Sequence, residues 1–254
     1  MDLKDIFDQG EEENIDAYVN FLDSVELVDL FYLIDEDYYP KILKRLKDAT
    51  IADILPYFEK SLLVKIIDLI DNTRLTYILD FMQTDDAAYV LRSMGEERSH
   101  QLIQILKKAK QISRVLSFPE ETAGAIMQTE VCALLVDKTA KECIESIREQ
   151  KKYLGEVISA FVVDVNRKLL GIVQLDDLIL GNLSDPIQKI MKPLKYFVLP
   201  EADQEEVARV FSKYDLTFVP VVDEKGYLLG QITHDDIQDV MEEEASEEIG
   251  RAHV

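Results

Sequence analysis

Ala160-Phe161-Val162-Val163-Asp164-Val165-Asn166-Arg167-Lys168-Leu169-Leu170-Gly171 is followed later in the chain by Val219-Pro220-Val221-Val222-Asp223-Glu224-Lys225-Gly226-Tyr227-Leu228-Leu229-Gly230, and the two stretches align without a gap. Each reads as an apolar, β-branched strand, a tight polar turn and a second strand. The register carries on. Gly171-Ile172-Val173-Gln174-Leu175-Asp176-Asp177-Leu178 matches Gly230-Gln231-Ile232-Thr233-His234-Asp235-Asp236-Ile237, and both lead into a helix. An amphipathic helix precedes each hairpin, over about residues 139–150 in one copy and 202–213 in the other. Two copies of a helix, hairpin, helix unit of roughly 60 residues predict one pseudo-symmetric α/β module.

Before Gly124 the texture is different. From about residue 14 to 116 apolar residues recur at helical spacing, and strand-like alternation is nearly absent. Segments such as Ile51–Phe58, Leu62–Ile67, Leu75–Met82, Ala87–Leu91 and His100–Leu106 follow one another about every twelve residues, which predicts short helices stacked as an α-solenoid. The turn Thr84-Asp85-Asp86 supplies capping oxygens for a helix beginning near Ala87, a structural role that by itself accounts for those residue types. The fold expected is multidomain: an all-α superhelical N-terminal domain followed by an α/β tandem.

Composition narrows the functional classes. The chain has 254 residues, 50 acidic and 28 basic, for a net charge of −22. A surface this negative repels nucleic acid and anionic lipid and attracts cations. Hydrophobic residues reach 47%, enough for packed domains, yet no run of 18 or more apolar residues occurs. Met1-Asp2-Leu3-Lys4-Asp5 is acidic and lacks an apolar h-region, so a cytoplasmic compartment is expected rather than secretion. Cys132 and Cys143, without CxxC spacing or a nearby His, read as reduced structural thiols. HExxH, GxSxG, GxxxxGK[ST] and glycine-rich dinucleotide patterns are all missing, and the three histidines are scattered at 100, 234 and 253, so no enzyme is expected.

The tandem resembles a pair of CBS domains, a regulatory module in which two β-α units pack sheet to sheet and often bind adenine nucleotides. Val-Val-Asp, Leu-Leu-Gly and the acid at the following helix start carry the likeness. That fold serves channels, transporters and enzymes alike, so the flanking residues say more. Phe118-Pro119-Glu120-Glu121-Thr122-Ala123-Gly124-Ala125-Ile126-Met127 closely resembles the junction motif of the MgtE magnesium channel family. So does Asp235-Asp236-Ile237-Gln238-Asp239-Val240-Met241-Glu242-Glu243-Glu244-Ala245-Ser246-Glu247-Glu248-Ile249. The resemblance implies the Mg²⁺-sensing cytosolic portion of such a protein, homodimeric through its CBS pair and lying on the cytoplasmic side of the membrane, with its own transmembrane domain absent from this chain. It divides the chain into a helical domain over 1–124, a first CBS domain over 125–183 and a second over 184–249 with an acidic C-terminal helix. Residues 250–254 form a tail that is either a cloning scar or a departure from the family.

Eight carboxylates and no basic residue lie between Asp235 and Glu248. On one helix Asp236, Asp239, Glu243 and Glu247 share a face, where like charges repel by a few tenths of a kcal/mol per pair. Taken alone, the run reads either as a solvated face or as a site for hard divalent cations such as Mg²⁺. The resemblance favours the second. It implies interfacial metal at Asp236 and Asp239, and it places Glu244, Glu247 and Glu248 toward the connecting helices. It also implies metal positions at Glu205 and Asp215. Asp85 and Asp86 resemble the start of an Asp-Asp-x-x-Asp motif whose third acid is replaced here by Tyr89. In the family, Mg²⁺ in these interfaces locks the cytosolic dimer closed and shuts the pore.

A nucleotide reading stands beside the metal one. Thr233 and Asp236 are three apart at a strand-to-helix turn, as in CBS domains that hold phosphate or ribose hydroxyls. In the first copy Gln174 replaces the Thr and leaves Asp177 as the ribose candidate, and members of the family can bind ATP in this module. A soluble adenine-nucleotide sensor that regulates another partner is therefore the alternative function, and a helical scaffold kept soluble by its acidic face is a third.

Overall fold

A computed structural model describes residues 12–154, 157, 159–238, 240 and 241 of the chain. It divides into two units, Met1–Ser113 and Arg114–Val254. The first is helical, as expected: α1 (Glu12–Phe21), α2 (Ser24–Leu33), α3 (Tyr39–Leu43), α4 (Asp48–Ile54), α5 (Lys60–Asp68), α6 (Asn72–Phe81), α7 (Thr84–Ser93) and α8 (Glu96–Ile103), with α9 (Ala109–Leu116) at its end. Local chemistry sets several starts. Asp23 and Glu26 form a reciprocal capping box before α2, and the Asp71 carboxylate accepts the Arg74 N–H before α6. α7 begins at Thr84, after Gln83, rather than near Ala87. Asp85 and Asp86 are therefore first-turn residues, where their charge meets the positive end of the helix dipole, and not the residues before the helix.

Beneath the spacing of single helices lies a repeat twice as long, one pair of helices. Leu30, Ile54, Ile78 and Leu102 are buried at one position of that repeat, and Ile34, Phe58, Met82 and Leu106 at another. The polar ties recur with it. Arg74 donates to the Leu43 and Leu46 carbonyls at 2.8 Å and to Asp48 at 2.8 Å. Arg98, at the equivalent position of the next repeat, donates to the Ile67 and Ile70 carbonyls at 3.1 and 2.6 Å and to Asn72 at 2.8 Å. A helix end leaves carbonyls without internal partners, and each guanidinium covers such an end one repeat back.

The second unit contains β1 (Ala133–Leu135), α10 (Ala140–Gln150), β2 (Ser159–Val163), β3 (Leu169–Gln174), α11 (Leu175–Leu180), α12 (Ile187–Ile190), α13 (Gln204–Tyr214), β4 (Phe218–Val222) and β5 (Leu228–Thr233). Residues 234–238 are helical and follow β5 as α11 follows β3. β1 runs parallel to β2, which pairs antiparallel with β3, while β4 and β5 form the equivalent hairpin. The repeat extends to irregularities. Both hairpins shift register at the same place, between Val162 and Val163 and between Val221 and Val222. Asp164 accepts the Asn166 and Lys168 N–H groups as Asp223 accepts those of Lys225 and Tyr227. The left-handed turn residue is Arg167 (φ 69°) in one copy and Gly226 (φ 84°) in the other.

The first copy packs Leu134, Cys143, Val162, Val173 and Leu178 into its own core. Val131, Phe161, Val163 and Leu228 fill the space between the hairpins, where the Phe161 and Phe218 rings meet edge to face at 5.5 Å. Cys132 and Cys143 are buried and unbridged, and burial pushes both thiols up to about 11. The junction segment is tied to the second copy. Ala123 and Gly124 donate to the Ala202 and Pro200 carbonyls at 2.8 Å, and Gln204 donates to Glu121 at 2.9 Å.

Candidate cation and nucleotide sites

Each CBS copy has an acid near the start of the helix that follows its hairpin, Asp177 in the first and Asp236 in the second, at equivalent positions of the repeat. A segment crossing over from the start of the opposite copy reaches each acid. Gln128 exchanges backbone hydrogen bonds with Gln231, and Lys192 exchanges them with Ile172, at 2.8 to 3.0 Å. A glycine makes both crossings possible. A Cβ on Gly171 would lie 2.5 Å from the Lys192 carbonyl oxygen, and one on Gly230 would collide in the same way with that of Gln128.

The side chains delivered by these crossings differ. The Gln128 amide, itself buried, donates to both oxygens of Asp236 at 3.2 and 3.0 Å. Thr233 donates to Asp236 from its N–H at 2.9 Å and its hydroxyl at 2.6 Å. Burial raises the carboxyl of Asp236 above the usual value of 3.8, against the lowering effect of the hydrogen bonds from Thr233 and Gln128. In the first copy Lys192 donates to Asp177 at 2.6 Å, with about half of the Lys192 side chain and a third of that of Asp177 exposed. Its hydrogen bond to Asp177 raises the Lys192 ammonium.

The structure thus brings Thr233 and Asp236 together, as their spacing predicts, and adds Gln128 and Lys192, which sequence reasoning missed. The glycine repeated at 171 and 230 was the available signal, since a glycine inside a strand marks a close backbone approach. Gln128 and Thr233 between them hold both oxygens of Asp236, whose side chain remains partly exposed.

Glu205 and Asp215 stand at opposite ends of α13. Glu205 is in the first turn and pairs with Arg209 at 3.2 Å, while Asp215 caps the C-terminus in a left-handed conformation (φ 49°). Ten helical steps separate them by about 15 Å, too far to share one ion. Asp85, nearly buried, and Asp86 belong to the first unit. Tyr89, which replaces the third acid of that motif, donates to the Phe58 carbonyl at 3.1 Å. Asp239, Glu244, Glu247 and Glu248 lie outside the described residues. Among the described residues no three His, Cys, Asp or Glu side chains converge on one point as a metal would require, and no helix is long and apolar enough to cross a membrane.

A stack of short helices followed by two crossed β-α units defines a helical domain joined to a CBS pair. Residues 3–121 match the MgtE intracellular N domain, and residues 123–181 and 187–243 match the CBS domain. Over 98% of its length the chain is 31% identical to the magnesium transporter MgtE of Thermus thermophilus, of which it spans 56%. Among solved structures it is similar to the cytosolic domain of the Mg²⁺ channel MgtE in complex with ATP. The TM-score is 0.88 at 26% identity, covering 94% of this chain and 98% of that one. The soluble part of a magnesium transporter gives 0.83 at 26% identity, with 96% of each chain covered. The chain belongs to the MgtE family and corresponds to its cytosolic domain.

Proposed function

We propose that this chain is the Mg²⁺-sensing region of a magnesium transporter or channel, placed on the cytoplasmic side of the membrane and homodimeric through its CBS pair. The observation that carries this reading is the fold it shares, over nearly the whole chain, with the cytosolic domain of the Mg²⁺ channel MgtE. The domains proposed are 1–124, 125–183 and 184–249, and the reading includes no catalytic step.

The charge of −22 supplies the mechanism. At low Mg²⁺ the carboxylates of the two units and of a neighbouring subunit repel, which favours an open arrangement. Asp85, Asp86, Glu205, Asp215, Asp236 and the acidic tail (Asp239, Glu244, Glu247, Glu248) offer the hard oxygens that Mg²⁺ accepts while retaining most of its water. Bound between such surfaces, the cation replaces repulsion with bridging contacts. Asp236 joins such a site by releasing the Gln128 amide, so its recruitment is coupled to the crossing segment. Moving the population from 1:99 to 99:1 needs about 5.5 kcal/mol of differential binding, a sum that several weak sites supply together. Because Glu121, Ala123 and Gly124 are tied to the second CBS copy, the hinge proposed for the helical domain at the junction near Phe118 to Gly124 narrows to the part before Glu121.

Tryptic cleavage at constant ionic strength tests the proposal. Cleavage that slows over the millimolar Mg²⁺ range, with no slowing in matched KCl, is the expected result, and equal rates in both salts would overturn it.

ATP is a second ligand, and the asymmetry of the copies favours the first. Asp177 is held by an exposed lysine that can turn to a phosphate, whereas Asp236 is held on both oxygens by the buried Gln128 amide and by Thr233. Asp177→Ala is expected to abolish ATP binding in a calorimetric titration while Thr233→Ala leaves it intact; the reverse pattern would place the nucleotide in the second copy.

A further inference from the structure

Leu33, Tyr57, Phe81 and Ile105 recur at one position of the helix-pair repeat in the helical unit. All four face solvent, at 71, 66, 64 and 61% exposure. In each case the next residue, Ile34, Phe58, Met82 or Leu106, is buried, which fixes the direction of its exposed neighbour. They sit at or just beyond the last turns of α2, α4, α6 and α8, the first helix of each repeat. One exposed apolar residue needs no explanation, but four at the same place in successive repeats form a row that the core does not require.

The charges beside the row are uneven. α2, α4 and α6 have no basic residue in their own last turns, although the Lys108 ammonium reaches the end of α6 from the next repeat and donates to the Met82 carbonyl at 2.6 Å. Asp29 and Asp53 lie one turn before the first two rungs; at the third, Asp80 accepts the Lys107 N–H at 2.9 Å and the Lys108 ammonium lies on the neighbouring Met82 carbonyl. Stacked helices are about 8–10 Å apart, and seven residues of α-helix rise about 10 Å, so a helix with an apolar residue every seventh position matches the pitch of the row.

We propose that Leu33, Tyr57, Phe81 and Ile105 form the docking face for an amphipathic helix with basic flanks, laid along the stacked repeats. The carboxylates beside the first two rungs select a basic partner and disfavour anionic lipid. Apolar anchors at regular spacing are the usual way a helix is read by a groove.

The test uses the full chain and a fluorescent helical peptide of about 24 residues, with leucine at every seventh position among lysine and alanine. A peptide of identical composition and scrambled order controls for bulk attraction to an acidic protein. The expected result is anisotropy-detected binding of the ordered peptide only, weakened at least about tenfold by Tyr57→Ser or Phe81→Ser. Circular dichroism checks that these exposed changes leave the helices folded. Equal binding of the scrambled peptide, or no effect of either substitution, would overturn the proposal. So would concentration-dependent self-association, or binding to phosphatidylserine vesicles, that either substitution abolishes, since the row would then belong to a second copy or to a membrane.

Discussion

The helical half and the α/β half are both repeats, one of helix pairs and one of helix-hairpin-helix units, but they are held together at different kinds of place. In the helical half the repeating tie is a long side chain: Arg74 and Arg98 reach back one repeat to cover carbonyls. In the α/β half it is the lack of a side chain: Gly171 and Gly230 let another strand of backbone pass within hydrogen-bonding distance. A backbone crossing tolerates no added atom, whereas a guanidinium on a helix end can be lost with local damage. The α/β half is therefore expected to be the more brittle of the two.

Substitutions of increasing gentleness sharpen that contrast. Gly230→Val forces side-chain atoms into the Gln128 backbone and is expected to cost about 3 kcal/mol or more in urea denaturation, with Gly171→Val close behind. Arg98→Ala removes donors from the Ile67 and Ile70 carbonyls and is expected to cost about 1–3 kcal/mol, with hydrogen exchange accelerated in α5 more than in the CBS pair. If Arg98→Ala proves costlier than Gly230→Val, the contrast between the halves is wrong.

Within the α/β half the two acids set up a finer comparison. Asp236→Ala takes the carboxylate acceptor from the Thr233 hydroxyl and from the buried Gln128 amide, which keeps only the Thr233 oxygen at 3.3 Å, for an expected loss of about 1–2 kcal/mol. Asp177→Ala breaks a largely solvated pair and is expected to cost less than Asp236→Ala by the same measurement. The smallest effect is in pH dependence. The folded carboxyl of Asp236 is raised above 3.8, so its contribution to stability is fully present below that value and is lost as pH rises through the folded value. Asp236→Asn should remove this loss. Its stability relative to the parent chain should thus improve as pH rises from 3.8, and a difference independent of pH would show that Asp236 does not titrate in this way.

The two repeats were not equally legible in the sequence. Val-Val-Asp and Leu-Leu-Gly recur as letters because strand, turn and crossing each demand a particular residue type, so the hairpins, their register and the helices around them were readable. In the helical half most equivalent positions ask only for an apolar side chain of some kind. Ile34, Phe58, Met82 and Leu106 share a position without sharing an identity, and only the spacing of successive helices was visible. Asp177, Thr233 and Asp236 stood out as candidates, but their partners did not. Gln128 is far from Gln231 along the chain, and nothing local to either residue reports that their backbones pair. Thr84 and the two aspartates that follow it suit a first turn as well as a cap, so those residue types alone do not mark where α7 starts.

Small-angle X-ray scattering across zero to tens of millimolar Mg²⁺ measures the proposed sensing most directly. Ionic strength is held constant with KCl, because screening alone relaxes a chain carrying a net −22. The account expects a radius of gyration that falls and saturates in the millimolar range, with a weaker response in Glu247→Ala. A radius of gyration that does not change with Mg²⁺ in the parent chain would contradict it.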